Sequence, residues 1–395
     1  MVNNRNYSRE TAKKLSPDRT ILYTPETEKD WGYAHHTQMM VFKGKLYLMW
    51  SLGRTHEDLF GQKVMYSYTE NGIDWSEPAP LVDTMMGEHS EAVLMPGCFY
   101  EYGGVLYAYI NYFEYDIESM LPRGYIAVMP HAFDDWFPML SQRTISDKKV
   151  LVTSTEDGVN WSTPKPVEGL ECAGHPPFRT STGRLIVSGS IAFPYTDDPT
   201  GQSGWEKVGL FPREEAGSFV DAGDGRTEML QKQGYETALG EPCGYQTDDG
   251  VIHMLLRYDE WVDDKCYLFE SRSYDNGETW SAPVSTEFTN DHTLFYCSRL
   301  PDGRFYLVGS PELHGGRCPL VVSLSDDGEN FDRHYIIEDE SSRIPLKFPA
   351  MNKHKPVGFT YSYPCAAVFN GQMYVATGAN KETILVSSFD LAQLK

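Results

Sequence analysis

The chain has 395 residues, a formal net charge of -22, and 13% aromatic side chains beside 23% charged ones. So acidic a balance excludes general affinity for nucleic acid or for an anionic membrane surface, and no stretch approaches the 18 or so uninterrupted apolar residues of a membrane-spanning helix. The opening MVNNRNYSRETAKKL lacks the apolar run of a secretory leader, and seven scattered cysteines without a CxxC pair read as reduced thiols; the expectation is a soluble, cytoplasmic protein.

The first clear element is GYAHHTQMMVFKGKLYLMWSLGR, residues 32–54. An alternating strand turns at Gly44, and a second apolar and aromatic strand climbs back to Arg54. YTENGIDW follows and ends at Trp75, then a second strand-glycine-strand unit, YGGVLYAYI, at Gly104. Residues 113–150 read as an insertion whose Tyr115, Phe133, Trp136 and Phe137 could overhang one face as a substrate wall or a dimer contact. STEDGVNW ends at Trp161, STGRLIVSG turns at Gly183, and residues 190–238 read as a second insertion. DDGVIHMLLR at Gly250, SYDNGETW ending at Trp280, PDGRFYLVG at Gly303, LSDDGENF ending at Phe331 and FNGQMYVATG at Gly371 complete the series.

Six hairpin glycines are therefore spaced 60, 79, 67, 53 and 68 residues apart, and the path from Gly371 through the chain ends to Gly44 is again 68 residues. Even spacing of strand pairs predicts an all-β fold: one domain over 1–395, a β-propeller of four-stranded blades. Six blades are counted, with seven as the alternative if a degenerate blade lies in an insertion. The two chain termini close the ring, with Thr20–Tyr23 adding a strand to the blade of Tyr374. Four further turns place an acid third and a glycine fifth (Glu70, Glu156, Asp275 and Asp326 before Gly72, Gly158, Gly277 and Gly328). The acid is expected to accept backbone N–H bonds while the glycine takes a positive φ.

In such a ring the residues about 8 to 11 before each hairpin glycine, and those about 7 to 10 after it, meet at one mouth. The first window holds His35 and His36, His175, Glu241, His292, Tyr361 and Tyr363; the second holds Arg54 and Arg257. Imidazoles, guanidinium groups and phenols are the inventory for binding a carboxylate and moving protons. Neighbouring residues of a strand face opposite ways, so only one of His35 and His36 is expected to face the channel. His36 shares its offset of eight with His175 and Tyr363 and is the expected one. There is no HExxH, EF-hand, GxGxxG, Walker or GxSxG motif, and no metal or other cofactor is expected.

The four acid-glycine-aromatic turns resemble the Asp-box, or bacterial neuraminidase repeat, of sialidase-like β-propellers. Sialidases of this fold use an arginine triad, a tyrosine nucleophile paired with a glutamate, and an aspartate acid. LLRYDEW around Arg257 resembles the strand of one triad arginine and TYSYP around Tyr363 the segment of the nucleophile; the first-blade Arg-Ile-Pro is replaced by GYAHHTQ, and Arg343-Ile344-Pro345 comes much later. Residues 31–67 look more like the α-L-rhamnosidase and rhamnosyl-glucuronate lyase propellers. That resemblance implies catalytic roles for His36, Tyr363 and Arg257 and substrate contacts from Arg54 and Gln62; the mouth windows add His35, His175, Glu241, His292 and Tyr361 as expected substrate contacts. The implied function is cleavage next to a uronic acid, most directly of rhamnosyl-α-1,4-glucuronate, by elimination or hydrolysis. The alternatives are an exo-α-sialidase-type hydrolase and a non-catalytic glycan-binding propeller. The expected partner is an oligosaccharide, neither nucleic acid nor membrane, with a homo-oligomer left open.

Overall fold

The computed structural model describes residues 1–27, 31–54, 57, 59–116, 145–188, 193–206, 208, 239–258, 266–348 and 360–395. Among these the chain is all-β, with two single-turn 3-10 helices at Glu340–Ser342 and Leu391–Gln393. Phe133, Trp136 and Phe137, and most of both expected insertions, lie outside the described residues.

Six antiparallel sheets follow in chain order. The first contains Tyr33–Phe42, Lys45–Gly53, Lys63–Thr69 and Ala79–Val82; the second Val93–Tyr102, Val105–Tyr115, Ile145–Thr155 and Lys165–Pro166. The third is reduced to Phe178–Arg179, Leu185–Ile186 and Tyr195–Thr196. The fourth contains Leu239–Gln246, Ile252–Tyr258, Tyr267–Ser273 and Val284–Thr289; the fifth Tyr296–Arg299, Phe305–Gly309, Leu320–Ser325 and Arg333–Glu338. The sixth contains Tyr361–Phe369, Gln372–Ala379, Thr383–Asp390 and the N-terminal Asp18–Tyr23, which pairs antiparallel on Thr383–Asp390 with Thr20 opposite Val386. Lys13–Lys14 adds a parallel strand to the edge of the fifth sheet, a pairing the hairpin series did not foretell.

Both ends of the expected first insertion are strand. Residues 105–115 and 145–155 pair along their length, and Tyr115 is fully buried in that sheet rather than overhanging a mouth. The apolar core is divided among clusters that each join two sheets. Tyr66 and Val64 of the first meet Leu94 and Ile110 of the second, and Leu48 and Trp50 of the first meet Ala376 and Val386 of the sixth. At about 25 cal/mol per Å² of apolar surface removed from water, such shared faces hold the sheets to one another.

All six hairpin glycines have φ between 74° and 95°, which β-carbon-bearing residues seldom adopt. In the Asp-box turns the expected acceptor is corrected. The backbone N–H groups go to Asn71, Asp157 and Asp327, one position after the expected Glu70, Glu156 and Asp326; only Asp275 accepts as expected. The anchor is a hydroxyl two residues earlier, in Thr69, Thr155, Ser273 and Ser325, which donates to the same acceptor. Counting from that hydroxyl, three turns are one residue shorter than the fourth, so an alignment on the glycine alone shifts the phase.

The glycine of such a turn also receives a side chain from the neighbouring sheet: a β-carbon on Gly158 would lie 1.8 Å from the Tyr47 hydroxyl, and one on Gly72 would lie 1.8 Å from that of Tyr374. Gly158→Ala should therefore lower stability by about 2 kcal/mol or more through its positive φ and this overlap. Adding Tyr47→Phe should return part of the loss in denaturant titrations, whereas equal loss in both backgrounds would rule out the overlap.

Candidate active site

Three of the sheets carry the same irregularity at the same level of their first strand. The register breaks between His35 and Gln38, between Gly240 and Cys243, and between Ser362 and Cys365, so two residues face one partner in each. The first of each extra pair, His36, Glu241 and Tyr363, has a positive φ of 53°, 46° and 54°. A bulge of this kind re-aims a side chain and interrupts the alternation of faces. The expectation that His35 and His36 face opposite ways is thereby corrected: both imidazoles point to the same place. Their ring centroids lie 4.3 and 5.1 Å from that of Tyr363, and 4.5 Å from each other.

Tyr363 is the centre of the constellation. Its hydroxyl donates to Glu241 Oε1 and accepts from Arg257 Nη1 at 3.0 Å, and the same guanidinium donates to Glu241 Oε2 at 2.5 Å. Arg317, Arg257 and Lys381 lie 5.6, 6.0 and 6.0 Å from the centroid of the phenol ring. Burial, then the neighbouring Glu241, push the Tyr363 phenol well above its ordinary range despite these cations. For Glu241, burial works upward, but Arg257, the Tyr363 hydroxyl and Arg317 together hold the carboxyl below the usual range. The phenol thus keeps its proton while its partner stays ionised and ready to accept it.

Arg317, which the mouth windows missed, is 3% exposed. Its Nη2 donates to the His292 carbonyl at 2.7 Å, its Nη1 to Ser362 Oγ at 3.1 Å, and its backbone N–H to Asp291 Oδ2 at 2.8 Å. Two more residues went unnoticed. Glu57 Oε1 lies 3.4 Å from His35 Nδ1 and 3.2 Å from His36 Nε2, and Lys381 Nζ holds its other oxygen. Burial raises the Glu57 carboxyl, yet Lys381 and the two imidazoles outweigh it and keep the group well below the usual range. His36 Nδ1 is held from behind by the Tyr33 hydroxyl and Ser51 Oγ, each at 3.0 Å. The sixth sheet approaches this closely because residue 378 is glycine: a β-carbon there would lie 2.6 Å from His35 Cδ2.

A cavity of 130 Å³ opens beneath, lined by His36, Gln38, Met95, Leu294, Glu241 and Tyr363 among others. Four expected residues stand elsewhere. Arg54 is committed to Glu91, with hydrogen bonds of 2.9 and 3.1 Å, and stacks on Trp31 at 5.2 Å. Tyr361 is fully buried and hydrogen-bonds Asp339 O and Ser342 Oγ, because the bulge separates its direction from that of Tyr363. Gln62 is buried behind the site and donates to the Glu57 carbonyl. His292 supplies its carbonyl to Arg317, and its imidazole is pulled down to about 4 by burial and then by Arg257.

His175 packs 5.6 Å from Tyr296, and neither of its nitrogens has a hydrogen-bond partner. Burial lowers its pKa to about 4, with Glu241 opposing weakly. Because the folded value lies below the unfolded one near 6.5, unfolding takes up a proton between the two, and stability present above pH ~6.5 is lost as pH falls toward ~4. His175→Gln should flatten this acid slope in denaturant titrations by up to about 3 kcal/mol; His292 and His334 titrate in the same window and keep part of it. An unchanged slope would mean that the imidazole is protonated in the fold.

A family model described as BNR repeat-like domain matches residues 44–375. Among solved structures, a Dyadobacter fermentans protein of unknown function superposes with a TM-score of 0.61 at 14% identity, over 94% of this chain and 97% of that one. A leech intramolecular trans-sialidase gives 0.62 at 12%, over 96% and 71%. A Penicillium chrysogenum α-L-arabinanase gives 0.57 at 11%, over 96% and 100%. A comparison with curated proteins finds no match. At these identities the superpositions speak for the fold, and the matched model, which spans most of the sequence, places the chain in the BNR repeat-like family of sialidase-like β-propellers.

Proposed function

We propose that the protein is a glycoside hydrolase acting on a sugar that carries a carboxylate beside the reacting carbon, with its six sheets as the six blades of a closed ring. The observation that carries this reading is the Tyr363 hydroxyl shared between Glu241 and Arg257. Tyr363 attacks the anomeric carbon as its proton passes to Glu241, forming a carbon–oxygen bond while the glycosidic bond breaks. His36, held toward Glu57, delivers a proton to the leaving oxygen and later takes one from the water that releases the sugar. Arg257 and Arg317 bind the substrate carboxylate.

A tyrosine suits this task. A carboxylate nucleophile would be repelled by an acid group on the sugar, whereas a neutral phenol with an internal base is not. The sialidases and the arabinanase of the same fold act on glycosides, which supports a carbohydrate substrate. Cleavage of rhamnosyl-α-1,4-glucuronate is the second reading, supported by residues 31–67 and the paired imidazoles. There Arg257 would neutralise the uronate, and His36 or Tyr363 would take the C5 proton. Incubation with sialyl and rhamnosyl-uronate oligosaccharides, with products read by mass, separates the two: hydrolysis adds one water and elimination adds none. Release of an acidic sugar with no added water would remove the hydrolase reading.

A further inference from the structure

We propose that His35, His36 and Glu57 form a three-ligand site for a divalent transition-metal ion of the zinc type, with a fourth position left open, in place of the metal-free site expected from the lack of a metal motif. The two imidazole nitrogens converge on a single carboxylate oxygen, His35 Nδ1 at 3.4 Å and His36 Nε2 at 3.2 Å from Glu57 Oε1. Metal–ligand bonds of about 2.0–2.1 Å at tetrahedral angles place donor atoms about 3.3 Å apart. All three donor atoms lie within 4.8 Å of one another.

A second observation points the same way. His35 is fully buried; its Nδ1 reaches Glu57 Oε1 only at 3.4 Å, long for a hydrogen bond, and its Nε2 makes none. A buried imidazole usually satisfies at least one nitrogen, and an ion held with Glu57 would do so here. The outer partners are also in place. Tyr33 and Ser51 hold His36 Nδ1 and so fix which nitrogen faces Glu57, and Lys381 holds the far carboxylate oxygen, leaving Oε1 toward the imidazoles. Two imidazoles and one carboxylate suit zinc and its neighbours; calcium wants six to eight oxygens. The site exists because the bulge turns both histidines to one side.

His36 Nε2 serves either the ion or the proton transfer, so the loaded site and the acid–base role of His36 are alternatives, and the test of the ion needs no substrate. The full chain, stripped with a chelator, is titrated with Co²⁺ and followed by its visible absorption, and Zn²⁺ is then added in competition. The expected result is one ion per chain with the intense bands of a four-coordinate site, displaced by Zn²⁺. Glu57→Gln and His36→Ala should each weaken binding at least ~10-fold while keeping the parent thermal unfolding profile, and His175→Gln should bind as the parent does. A weak six-coordinate spectrum, or binding that survives both ligand substitutions, overturns the site. So does no binding by a folded parent. A Tyr363→Phe variant that binds the ion as the parent does and keeps full activity would count against the hydrolytic roles and leave the metal site standing.

Discussion

Tyr363→Phe should remove about 10³-fold or more of the rate of glycosidic cleavage while leaving the fold intact. The change deletes one oxygen that Glu241 and Arg257 both contact and leaves the ring in place among the two imidazoles and three cations. Glu241→Gln should fall nearly as far, since an amide cannot accept the phenol's proton, and the double variant should be little worse than either because the pair acts as a unit. A fluorinated activated glycoside should label Tyr363, read by peptide mass. A fully active Tyr363→Phe would transfer the reaction to the Glu57 side of the site.

Arg257→Lys should cost about 10²-fold on an acidic substrate, because lysine keeps the charge but loses the planar fork that reaches Glu241, Tyr363 and a carboxylate together. A carboxyl-reduced substrate should be poor for the parent and no worse for the variant. Equal turnover of acid and reduced forms by the parent would show that no carboxylate is recognised. Arg317→Lys should show the same substrate dependence with added destabilisation, since its guanidinium makes two hydrogen bonds to buried or nearly buried groups.

Much of the architecture is legible in the sequence because it rests on backbone chemistry that few residues supply. A glycine at positive φ between apolar strands marks a hairpin, and six such glycines mark six sheets. The site is legible where a residue sits at a fixed strand offset: His36, Glu241, Arg257 and Tyr363 all meet. Lys381, ten residues after Gly371, stands in the window that selected Arg54 and was still overlooked. Arg317 and Glu57 follow their hairpin glycines by 14 and 13 residues, on connections whose path no strand period sets. Arg54 and Tyr361 fail for another reason. Strand offset gives a height in the fold, but a bulge or a nearer partner decides the direction, and Glu91 captured the one while the bulge turned the other away.

His36, Glu241, His292, Arg317, Tyr363 and Lys381 all have φ between 44° and 63°. Each such residue costs of the order of 1 kcal/mol that glycine would not. Reactivity and folding therefore pull in opposite directions at His36, Glu241 and Tyr363, where a change to glycine relaxes the backbone as it deletes the chemistry. The strain is thus stored at the three bulges that aim these side chains, and the fold bears its cost there.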